Sequence, residues 1–324
     1  MSLTNFHLDL KDRKILSELD LNARQPCSQI AKKVGLSTEV VSYRIKRLEE
    51  ENIITQYQTI INLSKLNVIQ FKICLSLQHI TSKKYQELIE KIKENKSIKW
   101  LVSCKGNWDL LIAVETDSFE NVELLKNNIL SEFAGYINQK AIAILVEATT
   151  YDRDYLLKSP STLNRSRIIM EKEKTAKIEP LDLEIIKILS KNARKTIIEI
   201  ALQLKTTARI VNYRIKQLQK NKIILGFKIA LNYEKIGILF FKTMIYIDNP
   251  NEERIKSLKQ YCAMNKNIIH HVNVLGNWDL EPEFEVYSEA EFNCIISEIK
   301  DKYSDIIKQI DIITISKEHK FVYF

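Results

Sequence analysis

The sequence has few of the features that form disulfide bonds, bind metal ions or anchor a chain in a membrane. It contains only five cysteines, with no C-x-x-C spacing, and five histidines without the spacing of metal ligands. Both facts argue against a disulfide framework or a zinc ribbon and favour a reducing compartment. No cationic start followed by an apolar stretch indicates a signal peptide. The apolar run at 236–247 is interrupted by Lys242 and is too short to span a bilayer. We therefore expect a cytoplasmic protein without a metal site. The cysteines are Cys27, Cys74, Cys104, Cys262 and Cys294.

Signatures of common enzyme classes are also missing. The sequence shows no Ser-His-Asp set, no P-loop and no Rossmann glycine pattern. We therefore predict neither catalytic residues nor a cofactor, and we interpret the chain as a non-enzyme.

What the chain does have is size, apolar content and positive charge. Its 324 residues are enough for roughly two to four ordinary domains, and its 45% hydrophobic residues can bury real cores. The net charge of +8 favours a polyanionic partner, nucleic acid before anionic lipid. A positive charge is also compatible with a surface that is simply soluble. The sequence motifs therefore have to distinguish nucleic-acid binding from solubility alone.

The strongest signal is an internal repeat. Three separated motifs recur at a constant offset of 170 residues: N-A-R at 22 and 192, Y-R-I-K at 43 and 213, and G-N-W-D at 106 and 276. Such constancy indicates duplication of a unit that has two parts. The first helix alone departs, because I-L-S at 15 matches I-L-S at 188, which predicts about three extra residues near 18–21 in the first copy.

The first part of each unit predicts three helices and a wing. Apolar spacing places the helices at 9–21, 29–34 and 38–51 in the first copy and at 183–192, 196–204 and 207–222 in the second. Asp9 and Ser37 can cap two of them. Gly35 is suited to a left-handed residue at the end of a helix. Its counterpart in the second copy, Lys205, is less suited to that geometry. Residues 53–61 alternate and predict a small hairpin or wing.

The second part of each unit predicts the order strand, helix, strand, strand, helix, strand. The elements are expected at 69–78, 83–94, 98–104, 108–115, 119–130 and 136–147, and again at 239–247, 252–261, 268–275, 278–286, 289–302 and 306–316. That order is ferredoxin-like, with helices on one face of an antiparallel sheet. The other face invites pairing with a second sheet. A polar stretch at 152–180 predicts a linker, with a helix considered around 165–177, and it is long enough for the second copy to fold back on the first.

These motifs resemble a known family. The N-A-R motif, G-L-S at 35–37, V-S-Y-R-I at 41–45 and I-I at 53–54 resemble the winged helix-turn-helix of Lrp/AsnC (feast/famine) regulators. The G-N-W-D turns resemble the Gly-x-aromatic-Asp turn of that family's ligand-sensing domain. The resemblance implies an α+β fold with two winged helix-turn-helix domains, each followed by a ferredoxin-like (βαββαβ) sensor domain. The expected domains are 1–63, 64–151, 181–235 and 236–324, with the linker at 152–180.

The resemblance also implies how the copies assemble. Members of the family dimerise through the second domain, so a covalent tandem can supply both halves as an intrachain pseudo-dimer, or form a homo-oligomer through its sensor domains. Two departures stand out. The usual glycine before the wing is Asn52 in one copy and Lys222 in the other. Pro282 lies in a predicted strand, where proline is expected only at an edge or a bulge.

The third helix of each first part is the predicted reader of the DNA major groove. Burial of Val41, Ile45 and Leu48 would turn the polar flank of that helix outward. Its candidate DNA contacts are Thr38, Glu39, Ser42, Tyr43, Lys46 and Arg47, with Lys32 and Lys33 before it. The second copy offers Ala208, Arg209, Asn212, Tyr213 and Lys216. Two alternatives stay open: Arg44 and Arg214 can instead pair with acids on the neighbouring helix, and the two tyrosines can pack under the wing.

The two reading helices differ in charge. Residues 37–51 carry a net charge of −1, whereas residues 207–222 carry +5. Phosphate neutralisation sets much of DNA affinity. We therefore expect the second copy to bind DNA more tightly and the first to contribute more of the sequence selectivity.

The two G-N-W-D turns are candidate ligand-binding sites on the strength of the resemblance, which implies a small amino-acid effector. Their residues are Gly106, Asn107, Trp108, Asp109, Gly276, Asn277, Trp278 and Asp279. A plain hairpin brace remains the competing interpretation, because glycine permits close backbone approach and aspartate accepts backbone hydrogen bonds in turns.

Together these features predict a sequence-specific regulator of transcription that binds double-stranded DNA, responds to an amino acid and does not enter a membrane. One alternative is an architectural protein that coats DNA. Another is an enzyme resembling siroheme decarboxylases, which would be expected to carry His-Cys-Tyr-x-Arg before the turn and Trp-Pro-Tyr-Asn at it. The chain has V-S-C-K-G-N-W-D from 102 and H-H-V-N-V-L-G-N from 270. Only His271 is then of interest, and a partly buried strand histidine is its commoner role.

Overall fold

The computed structural model describes residues 6–157, 165–170 and 176–322. Each copy begins with a three-helix head. The helices of the first head are α1 (Leu10–Leu21), α2 (Cys27–Val34) and α3 (Thr38–Glu50). Those of the second head are α6 (Pro180–Lys191), α7 (Ile197–Gln203) and α8 (Ala208–Lys220).

The first helices of the two heads match in length and capping. Both have 12 residues, and both begin with a capping box, formed by Asp9 with Asp12 and by Glu179 with Asp182. The offset of 170 therefore holds through this helix as well. The prediction of three extra residues near 18–21 is wrong, because the I-L-S match was a coincidence of composition in two apolar helix ends.

The segment predicted as a small hairpin is one continuous strand in each copy. Strand β1 (Ile54–Ile61) pairs antiparallel with β7 (Ile224–Leu231) of the other copy, from Ile54 opposite Leu231 to Ile61 opposite Ile224. An isolated strand would leave its backbone N–H and C=O groups unpaired. Each wing strand therefore supplies the backbone hydrogen-bond partners of the other, and this pairing joins the two heads directly.

The repeated N-A-R motif forms the rest of the contact between the heads. The Ala23 amide donates to the Phe227 carbonyl, and the Ala193 amide donates to the Tyr57 carbonyl, each at 2.9 Å. Arg24 donates to the carbonyls of Ala193 and Lys195. The two heads thus exchange equivalent contacts about a pseudo-twofold axis.

The second parts of the two copies build one barrel. The first copy supplies β2 (Ile69–Leu77), α4 (Ser82–Lys93), β3 (Ile98–Lys105), β4 (Leu110–Thr116), α5 (Phe119–Glu132) and β5 (Ile137–Tyr151). The second supplies β8 (Leu239–Ile247), α9 (Glu252–Met264), β9 (Ile268–Leu275), β10 (Leu280–Val286), α10 (Glu289–Lys302) and β11 (Ile307–Phe321). Each copy has the predicted ferredoxin-like order of strands and helices.

Two long strands cross between the copies and close the barrel. The first half of β5 pairs with β2, and its second half pairs with β9 of the other copy. The first half of β11 pairs with β8, and its second half pairs with β3. The eight strands therefore form a ring of pairings, β2-β4-β3-β11-β8-β10-β9-β5, which closes through the pairing of β2 with β5. Pairing of the sheets within one chain was one of the predicted arrangements.

Apolar side chains fall into three clusters that follow from this layout. Two clusters lie between the helices and the outer face of each sheet, around Phe71 and Phe133 in one copy and Phe284 and Phe292 in the other. The third and largest runs from the head helices into the barrel interior. Head and barrel therefore share one core. No described helix combines the length and apolar character needed to cross a membrane.

Part of the expected linker is ordered. Strand β6 (Ser166–Met170) pairs with the end of β5, so the helix considered around 165–177 is wrong for these residues; 171–175 lie outside the described residues. Arg165, with 1% of its surface exposed, donates to five backbone carbonyl groups, those of Asp152, Ala263, Asn265, Lys266 and Ile268. These bonds fix the segment against the second copy.

Pro282 lies inside the barrel wall, because β10 has neighbours on both sides. Of the two settings expected for this proline, the edge is therefore wrong, and an irregular ladder is the one found. The ladder between β10 and β8 skips from Leu280 to Glu283, and β10 has an irregularity against β9 after Glu283. Those interruptions accommodate a residue that has no N–H to donate.

We expect Gly106→Ala to destabilise the barrel more than Gly135→Ala. Both glycines have positive φ, +126° and +83°, so both substitutions strain the backbone by about 1–3 kcal/mol. A Cβ at Gly106 would also lie 2.6 Å from the Ile312 carbonyl oxygen of the other copy, whereas one at Gly135 would meet nothing within 4 Å. Urea unfolding measures both free energies. Equal losses would contradict the close approach of the two copies at this turn.

Candidate nucleic-acid interface

Helix α3 is held against its head by one apolar stripe. Ser37 caps its start by accepting from the Val40 amide, and Val41, Ile45 and Leu48 are buried. The opposite flank faces away from the protein. The side chains exposed there are those of Thr38, Glu39, Ser42, Tyr43 and Lys46. A buried stripe with a free polar flank is the geometry of a helix that can enter the major groove.

Helix α8 repeats this arrangement. Thr207 caps it by accepting from the Ile210 amide, and Val211, Ile215 and Leu218 are buried. The predicted contacts Ala208, Arg209, Tyr213 and Lys216 are exposed, and Asn212 is half-buried. Apart from Arg47, the candidate contacts on each of the two helices therefore lie together on one flank.

The two tyrosines do not pack under the wings. Tyr43 is 67% exposed and Tyr213 is 58% exposed. This removes one of the alternatives that the sequence left open.

Several basic side chains of these helices are bound within the head. Arg44 contacts Asp9 at 2.7 Å and Asp12 at 2.8 Å, and Arg214 contacts Asp182 at 2.9 Å. The internal pairing of both arginines was the second open alternative. Arg47, a predicted phosphate contact, also pairs with Asp12 at 2.7 Å and is 65% buried at its side chain. Lys46 is different, because its side chain is 74% exposed and has only a 3.5 Å contact to Glu50.

The lysines before α3 differ from each other. Lys32 is exposed, whereas Lys33 contacts Glu18 at 2.6 Å. Of the two, Lys32 has the freer charge.

Sequence reasoning missed a groove between the heads. Arg24 and Gln25 of the first head line it, together with Arg194, Arg209 and Asn212 of the second. Its signal was present in the sequence, because the N-A-R motif repeats, but the motif served only to detect the duplication. The groove brings three arginines to the junction of the heads, which suits a polyanion that crosses from one head to the other.

The G-N-W-D turns lie at the far end of β3 and β9 from the heads and brace the barrel. The carboxylates of Asp109 and Asp279 accept from the amides of Leu77 and Ile247, at 2.7 and 2.8 Å. Gly276 lies against Ala143 of the other copy, so near that a Cβ would lie 3.0 Å from that side chain. These contacts are those of a hairpin brace. Only Asn107 and Asn277 present exposed polar side chains that make none of these bracing contacts.

The two tryptophans of the turns point into the barrel. Trp278 is 1% exposed and donates to Glu281 at 2.8 Å, whereas Trp108 is 8% exposed and its indole nitrogen has no partner among the described residues. The difference follows from the sequence, because Leu111 stands at the position equivalent to Glu281.

His271 has the role of a buried strand histidine. It is 3% exposed, its Nδ1 lies 2.6 Å from the Tyr151 hydroxyl, and its Nε2 lies 3.8 Å from Glu147. The proximity of His271 and the hydrogen bond from Lys259 lower the pKa of Glu147 to about 2.

Comparison with known proteins gives the same picture twice along the chain. The family model for winged helix-turn-helix DNA-binding domains matches residues 8–55 and 178–224. An uncharacterised HTH-type transcriptional regulator of Pyrococcus abyssi is 33% identical over 129 residues, which cover 40% of this chain and 86% of that protein. The HTH-type transcriptional regulator LrpA of Pyrococcus horikoshii is 31% identical over 145 residues, 43% of this chain and 97% of that protein.

A solved structure resembles the full tandem. The siroheme decarboxylase NirDL superposes with a TM-score of 0.60 over 97% of this chain and 93% of that one, at 13% identity. Identity this low shows a shared fold and nothing about the reaction.

We expect Arg44→Ala to lower the free energy of unfolding by about 1–3 kcal/mol, because it leaves the buried Asp12 with one partner fewer. Lys46→Ala, on the same helix, should change it by about 0.5 kcal/mol or less, since its ion pair is exposed. Denaturant titration of both variants measures the contrast. A larger loss from Lys46→Ala would mean that the roles of the two cations are reversed.

Proposed function

The chain belongs to the Lrp/AsnC family of transcriptional regulators, and we propose that its two heads read one DNA duplex together. It is a DNA-binding regulator of transcription that carries two reading heads in one chain. The observation that carries the proposal is the pair of outward polar flanks on α3 and α8, borne by heads that β1 and β7 join. The relatives named as transcriptional regulators support the same function.

The joined heads define the kind of site. Two heads about a pseudo-twofold axis contact half-sites on one face of B-DNA, separated by one or more helical turns of about 10 bp. The flanks differ at equivalent positions, with Glu39 in one copy and Arg209 in the other. The operator is therefore an imperfect palindrome, and the arginines of the groove between the heads contact the backbone between its halves.

The two heads contribute differently to DNA binding. Four of the five cations of residues 207–222 lack an acidic partner in the described structure, since only Arg214 pairs with Asp182. On α3, Arg44 and Arg47 are paired internally. The second head therefore supplies more of the phosphate neutralisation, and the first head more of the selectivity.

An amino-acid effector belongs to the proposal as a second step. The family resemblance of the G-N-W-D turns supports it, and Asn107 and Asn277 are the turn side chains with free polar groups. An effector at these turns acts only if it binds two arrangements of the barrel with different affinity. DNA binding measured with and without an amino-acid mixture tests this step separately from DNA recognition.

We propose no catalytic activity. The decarboxylase likeness is one of fold, and the stretches expected of that enzyme are absent from the sequence. A regulator acts where the chromosome lies, so we place the protein in the cytoplasm. Footprinting separates it from an architectural coater, because a regulator protects discrete sites whereas a coater protects all of the DNA.

Charge exchange at positions 39 and 209 tests the division between the heads. We expect Arg209→Glu to weaken DNA binding and to lower the slope of log affinity against log salt by about one unit, the effect of one lost phosphate contact. Glu39→Arg should strengthen DNA binding and raise that slope, because it adds a cation to the flank of the first head. Lys216→Ala should cost more affinity than Lys46→Ala at the equivalent position.

Fluorescence anisotropy across a salt series gives these affinities. Lys83→Ala, an exposed cation on the outer helix α4, is the control and should leave both affinity and slope unchanged. Equal losses from Lys46→Ala and Lys216→Ala would contradict the proposed difference between the heads.

A further inference from the structure

The outward flank of α8 carries four polar side chains that the protein itself does not use. Among the residues that the structure describes, none of the four makes a side-chain hydrogen bond or an ion pair. They are the side chains of Arg209, Asn212, Tyr213 and Lys216. Each therefore keeps its full hydrogen-bonding capacity for a partner outside the chain.

The two reading helices are alike at some outward positions and differ at others. The repeated Y-R-I-K motif gives both helices the same outward tyrosine and the same outward lysine. The residue just before that motif differs, because Ser42 of the first head has Asn212 as its counterpart in the second. Heads related by a pseudo-twofold axis present equivalent positions to equivalent base pairs. The two half-sites therefore match where the shared residues bind and differ where Ser42 and Asn212 bind.

Asn212 lies on the side of α8 that faces the first head. It lines the groove between the heads, together with Arg24 and Gln25 of the first head. Asn212 is half-buried in this position, so its side chain loses less freedom when it binds a partner. Arg209, three residues earlier, lines the same groove. The base that Asn212 contacts is therefore in the part of its half-site nearer to the pseudo-twofold axis.

The chemistry of the two side chains is different. The asparagine carboxamide holds an acceptor oxygen and a donor nitrogen in one plane. Adenine presents the complementary pair in the major groove, its N7 acceptor and its N6 donor, and asparagine binds both at once. A serine hydroxyl both donates and accepts, so it contacts either kind of group without selecting one base. Asn212 therefore has a preferred base, whereas Ser42 does not.

We propose that Asn212 reads an adenine in the axis-proximal part of the second half-site, and that Ser42 leaves the equivalent base pair of the first half-site unselected. This inference rests on the proposed function, in which both heads bind one duplex. A single adenine-reading head gives the operator a direction. Each bound chain then has the same orientation along the DNA.

Selection of bound duplexes from a random library tests the assignment with three forms of the full chain. We expect the wild type to enrich one adenine in one half-site. Asn212→Ser should lose that adenine, and Ser42→Asn should enrich an adenine in both half-sites. The base pairs read by the shared tyrosine and lysine should be the same for all three proteins. Ser42 is exposed and Asn212 half-buried, neither with an internal side-chain partner in the described structure, so both variants should fold.

An altered base tests the contact itself on the selected operator. Replacing the selected adenine by 7-deazaadenine removes the N7 acceptor and keeps the base pairing. We expect the wild type to lose about fivefold or more in affinity, and Asn212→Ser to bind both duplexes equally. Asn127→Ser, an asparagine on the exposed face of the outer helix α5, is the matched control and should behave as the wild type.

The outcomes separate this inference from the proposed function. Paired half-sites that are the same for the wild type and Asn212→Ser would overturn the adenine assignment and leave the two-headed reading of DNA intact. So would an equal loss of affinity for the 7-deazaadenine duplex in both proteins. Failure of the wild type to select discrete paired sites would overturn the proposed function and this inference together.

Discussion

The antiparallel pairing of β1 with β7 decides where both recognition helices lie. Among the described residues, each wing strand has its only ladder partner in the other copy, so neither head completes its backbone hydrogen bonds alone. The N-A-R loops then add the exchanged bonds of Ala23 and Ala193, and each first helix packs on the strand of the opposite copy. Two copies of a unit that matches nearly the whole length of the regulator LrpA are in this way joined in one chain. The fixed spacing of the flanks of α3 and α8 follows from that sheet.

Duplication also allowed the two copies to diverge inside the barrel. Lys72 and Lys242 occupy equivalent positions in the two copies. The positions equivalent to Glu281 and Glu283 of the second copy, however, hold Leu111 and Ala113 in the first. One copy therefore supplies the carboxylates that neutralise the lysines of both. Removing either partner would leave a buried charge unpaired, which costs far more than the pair contributes. This shared network therefore links the two copies inside the barrel.

Local patterns in the sequence predicted local structure well. The stripes Val41, Ile45 and Leu48 and Val211, Ile215 and Leu218 placed the reading helices and their outward flanks, because a helical stripe depends on neighbours three and four residues apart. Asn52, which precedes the first wing, has left-handed geometry with a φ of 52°. The partner of each wing could not be predicted, since β1 and β7 are far apart in the chain and either strand fits several partners. The pairing of Arg47 with Asp12 and the buried lysines of β2 and β8 were missed for the same reason: both depend on contacts between distant segments.

One measurement tests most directly whether a single chain supplies both readers of one site. Hydroxyl-radical footprinting on a selected operator, combined with the mass of the protein–DNA complex, gives the number of protected half-sites per chain. The account predicts two unequal protected patches on one face of the duplex for each bound chain. One patch per chain, or uniform protection along the DNA, would contradict it.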